Sequence, residues 1–396
     1  MARDTTTAPA AVDANQHGLR AHSHDPGVVP VQTRSERVKS TDPADFPGVT
    51  GREVDWKYTP VDRIRMLTEG DLDGSPYAVL YPEVAETQVE WIDAADTRVG
   101  VAGIPEDKAS ANAWSSVEKV LRVAITGEAP SALTLTRTNM GTVPRAAHLL
   151  VEVQANARAL VVIENRGAAL LAENIEIIVG QDAQLTLVSL QEWDDQAVHL
   201  SSQFARLDRG GRLKHIVVSL GGAIVRVNPQ AALAGEGAVC ELLGIYFAEA
   251  GQHLEQQVFV HHIAPHTVSR VTYKGALNGV GARTVWIGDV LIGRDATGTD
   301  SYEQNRNLVL SDGTRADSIP NLEIETGDIV GAGHASATGR FDDEHLFYLQ
   351  SRGITEKEAR RLVVLGFLAE IVQAIGEPAL EERLIAALEA EMEAAS

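Results

Sequence analysis

HLLVEV (148–153), ALVVIEN (159–165), NIEIIV (174–179) and QLTLVSL (184–190) follow one another with only short polar or glycine-bearing turns between them. Runs of four to eight residues rich in Val, Ile and Leu and bounded by such turns read as β-strands. The text continues through HIVVSL (215–220), ELLGIYF (241–247), QVFVHHI (257–263) and TVWIGDVLI (284–292). The turns ANAR (155), GQDA (180), DRGG (208), GEGA (235), GVGA (279) and SDGT (311) begin 25, 28, 27, 44 and 32 residues apart. A strand-turn-strand unit repeated loosely at this length favours stacked coils, because one coil buries its apolar face only when the next lies on it. A jelly-roll sandwich remains the alternative, since hairpins joined by glycine turns give a similar text.

Outward from this β region, 148–340, the texture changes on both sides. Residues 51–147 mix short helical stretches such as Val61 to Leu67 with polar turns and read as a mixed α/β region. Residues 1–50 hold one Leu, one Phe and no Ile, Trp or Tyr, too little apolar matter for a core, and are expected to form a disordered arm. His17, His22 and His24 in that arm lack an obvious fourth ligand. Toward the other end, 341–396 reads as a helical region. Thr355 and Glu358 have capping-box spacing, and Val364, Phe367, Leu368, Ile371, Val372 and Ile375 recur at helical intervals. Leu362, Val363 and Leu365 widen that stripe beyond one face. Gly376 suits a left-handed cap, and Pro378 the first turn of a second helix.

The 396 residues carry 34 Lys and Arg against 55 Asp and Glu, a net charge of −21, with no basic run. That balance disfavours a nucleic-acid surface or an anionic-membrane anchor. The longest apolar run, Leu362 to Ala369, falls short of the ~18 residues a spanning helix needs. No basic start followed by an apolar stretch marks a secretion signal, so the expected location is the cytoplasm. The single cysteine, Cys240, excludes an internal disulfide and a self-sufficient four-thiolate cluster site. It reads as a small buried hydrophobe. No GxxxxGK[ST] loop occurs, so any ATP chemistry belongs to another chain.

Four histidines, His253, His261, His262 and His266, form the densest cluster and raise the alternative of a cupin-like metal enzyme. Adjacent strand residues point to opposite faces, which argues against convergence. Asp194 with Asp195, and Asp342 with Asp343, could suggest a carbohydrate-active enzyme, but adjacent acids diverge and read as solvated turns. His334 is more unusual. It lies among tiny side chains in GAGHASATG (331–339), which reads as a turn exposing an imidazole.

The run PNLEIETGDIVGAGHASATGRFDDEHLFYLQSRGI (320–354) resembles the C-terminal core motif of the SufB/SufD family of iron-sulfur cluster assembly proteins. The ordered features are the Leu-Glu-Ile strand, Asp328, the small residues around His334, the Phe-Tyr-Leu run and Ser351-Arg352-Gly353. The likeness extends upstream through NRNLVLSD and downstream over the closing helices. GREVDWKYTPV (51–61) resembles the Trp-Lys-Tyr-Thr signature typical of SufD, here Trp56 to Thr59. Where many members place a cysteine two residues before the motif histidine, this chain has Ala332, which puts independent cluster binding in doubt.

The resemblance implies a mainly β protein: a right-handed parallel β-helix core between an N-terminal α/β region and a C-terminal helical region. It implies a non-catalytic scaffold subunit of the SufBCD complex in the SUF system, pairing with SufB through the β-helix and binding the SufC ATPase through its C-terminal helices. His334 is then expected at the SufB interface, sharing iron with a partner cysteine. Arg352, Gly353, Leu362, Leu365, Phe367 and Leu368 are expected in the SufC-binding region. No cofactor is expected on the isolated chain, and a transient iron-sulfur cluster is expected in the complex. Deleting 354–396 is expected to abolish ATPase binding and leave the β core folded.

Overall fold

The computed structural model describes Arg34, residues 37–340 and residues 343–394, and the chain divides into two units, residues 1–37 and 38–396. Most of the expected arm lies outside the described residues. Its last part does not behave as a loose tail. Phe46 and Val49 are buried, and Lys39 pairs with Glu106 at 2.8 Å.

Seventeen strands make up the second unit's core. In chain order they are β1 (Thr87–Asp93), β2 (Lys119–Ile125), β3 (Leu133–Thr138), β4 (Arg145–Val153), β5 (Arg158–Gly167), β6 (Leu170–Val179), β7 (Gln184–Trp193), β8 (Val198–Leu207) and β9 (Arg212–Ser219). Then come β10 (Ile224–Leu233), β11 (Val239–Ala248), β12 (His253–His262), β13 (Val268–Leu277), β14 (Arg283–Ile292), β15 (Thr299–Val309), β16 (Arg315–Ile324) and β17 (Ile329–Arg340). Alternate strands fall into two sheets. One runs β1-β2-β4-β6-β8-β10-β12-β14-β16 and the other β17-β15-β13-β11-β9-β7-β5-β3.

Apart from the antiparallel β1–β2 pair, every strand pairs in parallel with the strand one coil away. This is a parallel β-helix and not a jelly roll, whose sandwiched sheets are antiparallel. The coil advances 26 residues where Arg145 pairs with Leu171 and 32 where Arg283 pairs with Arg315. Parallel pairing reaches back to β2, well ahead of His148, because KVLRVAI and LTLTRT are short strands whose polar residues hid them in the sequence.

The irregular 44-residue spacing now has a cause. ANAR, GQDA, DRGG and GEGA turn the chain along one edge of the helix, whereas GVGA and SDGT sit on the other edge. The turn passed over, at 264–266, contains no glycine, and His266 takes the left-handed conformation there at φ +56°. Inside the coils, apolar side chains of both sheets form one continuous core from Leu121 to Ile292. Close fits bind successive coils. A Cβ on Gly275 would lie 1.8 Å from the Tyr246 ring and one on Gly244 would lie 2.1 Å from the Tyr273 ring, so each tyrosine occupies space that only glycine leaves.

Helices cover the outer faces. Over the nine-stranded sheet lie α1 (Arg65–Thr68) and α2 (Lys108–Ser116), with Trp56, Ile64 and Leu67 packing near Ala146, Ala172, Leu200 and Ile224. Asp107 caps α2 by accepting from the Ser110 amide at 2.9 Å. The segment 51–61 acts as a clasp here. Arg226 lies 3.9 Å over the Trp56 ring and donates to the Asp55 carbonyl, and Thr59 donates to the buried Glu255 carboxylate at 2.8 Å.

Over the eight-stranded sheet lie α4 (Glu356–Gln373) and α5 (Pro378–Ala394), preceded by α3 (Asp343–Ser351). Val364, Leu368, Ile371, Val372, Leu384 and Leu388 pack against Val188, Ile216, Ile245 and Phe247. Thr355 accepts from the Glu358 amide at 3.3 Å, Gly376 has φ +75° and Pro378 opens α5, as their spacing predicts. Lys274 reaches the Phe367 carbonyl and Glu370, and Arg383 reaches Glu164 and Glu192, so charge pairs surround the apolar contact. No helix among the described residues is long and apolar enough to cross a membrane.

Candidate functional site

The two ends of the β-helix differ. At the first coil, β1 lies antiparallel on β2, Leu80 bridges Thr136 of β3, and Tyr77 and Val79 pack against the core. At the last coil, no strand among the described residues pairs with the outer edges of β16 and β17, and none of their residues is fully buried. Two parallel edges of ten and twelve residues form a template for another chain's backbone.

His334 stands on β17. GAGHASATG is therefore a strand and not the turn its composition suggests, because the parallel ladder to β15 satisfies its backbone despite the low strand propensity of Gly and Ala. Strand alternation then aims the side chain. His334 pairs with Glu303, which continues a column through Val271, Leu242, His215 and Leu187 on the inward face. As the terminal member, His334 keeps 43% of its side chain exposed, while Glu303 beneath it keeps 1%.

The imidazole Nδ1 lies 3.8 Å from Glu303 Oε1, and neither buried oxygen of Glu303 has a well-formed hydrogen bond, the Asn321 backbone offering only a weak contact. Burial, with the Asp289 charge adding to it, pushes the Glu303 carboxyl up to about 8. Nothing in the sequence around Glu303 marks it as a site residue. Only the 31-residue offset of β15 and β17, 303 to 334, brings the two together.

His215 in the same column is wholly enclosed, and burial pushes its imidazole down to about 4. An unfolded histidine binds its proton near pH 6.5, so between about 6.5 and 4 the unfolded chain holds a proton that the folded chain does not. Stability is then present above pH 6.5 and lost as pH falls toward 4, by roughly 3 kcal/mol from this group. Replacing His215→Leu, which matches Leu187 and Leu242 on either side, is expected to flatten that acid-side loss. Urea unfolding at pH 7 and pH 5 checks it: an unchanged difference between the two pH values would show that His215 is not responsible.

The other candidates disperse. His253 lies on the outer face bonded to Glu255 at 2.8 Å, His261 stacks near Phe259, and His262 points inward to the hydroxyls of Thr267 and Ser269. No group of three or more potential metal ligands occurs among the described residues. Asp194 and Asp195 are exposed in the β7–β8 turn, whereas Asp342 and the Asp343 side chain lie outside the described residues. Cys240 is fully buried inside the coils, and burial pushes its thiol up to about 12, so it offers no thiolate.

A second surface lies at α3 and the start of α4. Phe347 is 72% exposed, Tyr348 54% and Leu362 42%, with Arg352 4.6 Å over the Tyr348 ring. Gly353, at φ +84°, makes the turn between the helices. Leu365 and Phe367 are partly buried against the sheet-facing core, and Leu368 is completely buried. Leu368 therefore holds α4 on the β-helix and has no surface to offer a partner. Phe347 and Tyr348, which belong to the Phe-Tyr-Leu run of the motif but are not among the residues expected at a partner surface, are the large apolar side chains most exposed here.

A family model described as the SUF system FeS cluster assembly, SufBD core domain, matches residues 136–367. An iron-sulfur cluster assembly SufBD family protein of Mycobacterium tuberculosis is 46% identical over 371 residues, covering 91% of this chain and 93% of that protein. One of Mycobacterium leprae is 46% identical over 362 residues, covering 89% and 92%. A second SufBD family protein of M. tuberculosis is 32% identical over 213 residues, 53% of this chain and 25% of that one.

Proposed function

We propose a SufD-like scaffold role that proceeds from one premise: this chain belongs to the SufBD family of iron-sulfur cluster assembly proteins. In this reading the chain is not an enzyme by itself. It pairs through its open coil with a SufB-like chain, binds a SufC-like ATPase through its C-terminal helices, and works in the cytoplasm on a nascent cluster that is cargo and not a resident cofactor.

The observation that carries the reading is the asymmetry of the β-helix. One end is closed by β1 and the other leaves β16 and β17 unpaired with His334 at the rim. A second β-helix laid edge to edge would satisfy those backbone groups and face His334 with the partner's side chains. The presence in M. tuberculosis of two SufBD proteins, one aligned along nearly its whole length and one over 213 residues, supports a pair of unlike subunits. Trp56 to Thr59 and the Ala332 position favour the SufD side.

For cluster chemistry the chain offers imidazole at the rim and no reactive thiol, so the thiolates must come from the partner. Purified alone, it is expected to retain no cluster after anaerobic reconstitution. A stable chromophore with stoichiometric iron on the lone chain would contradict this.

The ATPase surface is tested on the exposed aromatics. Phe347→Asp combined with Tyr348→Asp is expected to weaken ATPase binding at least about 30-fold, the loss of one aromatic hot spot of ~2 kcal/mol. Both side chains are more than half exposed, so the melting temperature is expected to stay within about 2 °C. Affinity purification with the partner chains, followed by calorimetric titration, decides it. Unchanged affinity would move the ATPase site elsewhere.

A further inference from the structure

We propose that Glu303 and His334 together form the half of a divalent-cation site that this chain contributes, with Glu303 as a direct ligand beside the imidazole. The inference rests on the assembly reading only for the choice of iron as the natural cation.

Glu303 is the starting point. Its side chain is 1% exposed, and neither oxygen has a well-formed hydrogen bond, the Asn321 backbone offering only a weak contact. Burying a carboxyl without partners costs several kcal/mol, and a native structure that retains one requires a reason. The space is also kept open for it. A Cβ on Gly288 of β14 would lie 2.5 Å from Glu303 Oε2 and 2.3 Å from the Trp286 ring, so glycine is needed opposite the carboxyl.

The distance to His334 selects among roles. A hydrogen bond from Nδ1 to the carboxylate would span ~2.9 Å. Two donors on one tetrahedral cation, each about 2.1 Å from it, stand roughly 3.4 Å apart. The observed 3.8 Å is closer to the second geometry, and a small side-chain rotation closes the difference. Mixed imidazole and carboxylate donors suit first-row divalent ions. Two donors leave further positions empty on the exposed side of His334, the side of the unpaired β17 edge, where an opposing chain's ligands can complete the coordination.

The test uses Co2+, whose visible absorption reports tetrahedral coordination, on the full-length chain with His17, His22 and His24 replaced by Ala to remove other imidazoles. That background is expected to bind one Co2+ per chain. Glu303→Gln, which keeps the shape, and His334→Ala are each expected to weaken binding at least tenfold. Asp300→Asn, in the outer-face pair with Arg270, is expected to change nothing. Thermal unfolding confirms that each variant is folded, and Glu303→Asp, which shortens the reach, serves as the second carboxylate variant with intermediate affinity expected.

No Co2+ binding in the background, or equal binding in Glu303→Gln, overturns the proposal. Such a result would leave the assembly reading intact if the complex still required His334 for cluster formation. Conversely, Glu303-dependent Co2+ binding in a chain that failed to associate with SufB-like and SufC-like partners would preserve this site and sink the reading.

Discussion

A complex carrying His334→Ala is expected to assemble with both partners yet lose nearly all of its iron and sulfide. The side chain is 43% exposed at the rim of the last coil and makes no hydrogen bond among the described residues that shapes the strand, so truncation removes little packing. Stability effects at such positions are usually within about 0.5 kcal/mol. What is lost is the imidazole that stands at the open end, a group able to hold iron or to exchange a proton with a sulfur species. A drop of at least about tenfold in iron and sulfide per complex is expected, the scale of losing a single ligand or its support. His261→Ala and His266→Ala supply the comparison. His261 sits on the outer face near Phe259, and His266 lies in an edge turn at φ +56°, both away from the rim column. Co-purification, iron and sulfide content and rescue of a strain lacking the gene should be measured side by side. Assembly at the parental rate would reduce the chain to a scaffold without chemistry. Failure of the complex to form would make His334 an interface residue.

Deletion of 354–396 is expected to yield an aggregated chain, contrary to the expectation from sequence that the β core would survive it. The helices are not an appendage. Val364, Leu368, Ile371, Val372, Ile375, Leu384 and Leu388 are buried against a sheet face that carries Val162, Val188, Leu190, Ile216, Val218, Leu243, Ile245 and Phe247. At ~1.5–3 kcal/mol for each fully buried side chain, the helix residues alone contribute on the order of 10 kcal/mol. That is comparable to the whole stability of an ordinary domain. Removing them also exposes a wide apolar sheet face, a surface that promotes association. Lys214 and Lys274, whose amines reach the Ala374 and Phe367 carbonyls, would lose those partners as well. Soluble expression and size-exclusion chromatography decide the matter. A monodisperse truncated chain with a parental unfolding transition would show that the β-helix stands without its helices. Loss of ATPase binding in this deletion therefore says little, and Phe347 and Tyr348 are the better probes of that surface.

The sequence by itself narrowed the architecture to a strand-rich core of stacked coils or a jelly roll, flanked by helices. Short runs rich in Val, Ile and Leu separated by turns at coil-length intervals leave a chain few ways to bury its surface, and Thr355, Gly376 and Pro378 mark helix ends through local backbone chemistry. It also determined that the four clustered histidines diverge, since strand alternation is local. The family motif around His334 pointed to what proves to be the last coil, although its small residues read as a turn what the ladder to β15 makes a strand.

Tertiary structure decided the rest. Which residue lies beneath His334 depends on the number of residues in the β15–β17 coil, and a shift of one would place a different side chain there. The interior course of a polar residue such as Glu303 looks like any other strand position in EQNRN until the coils are stacked. The faces of α4 were undecided because its apolar stripe is wider than one face, and only packing on the eight-stranded sheet buried Leu368 while leaving Leu362 in solvent. The physical reason is common to all three. Strand and helix periods are set by nearest neighbours along the chain, whereas contact partners are set by coil length and layer packing, which couple residues about 30 positions or more apart in sequence.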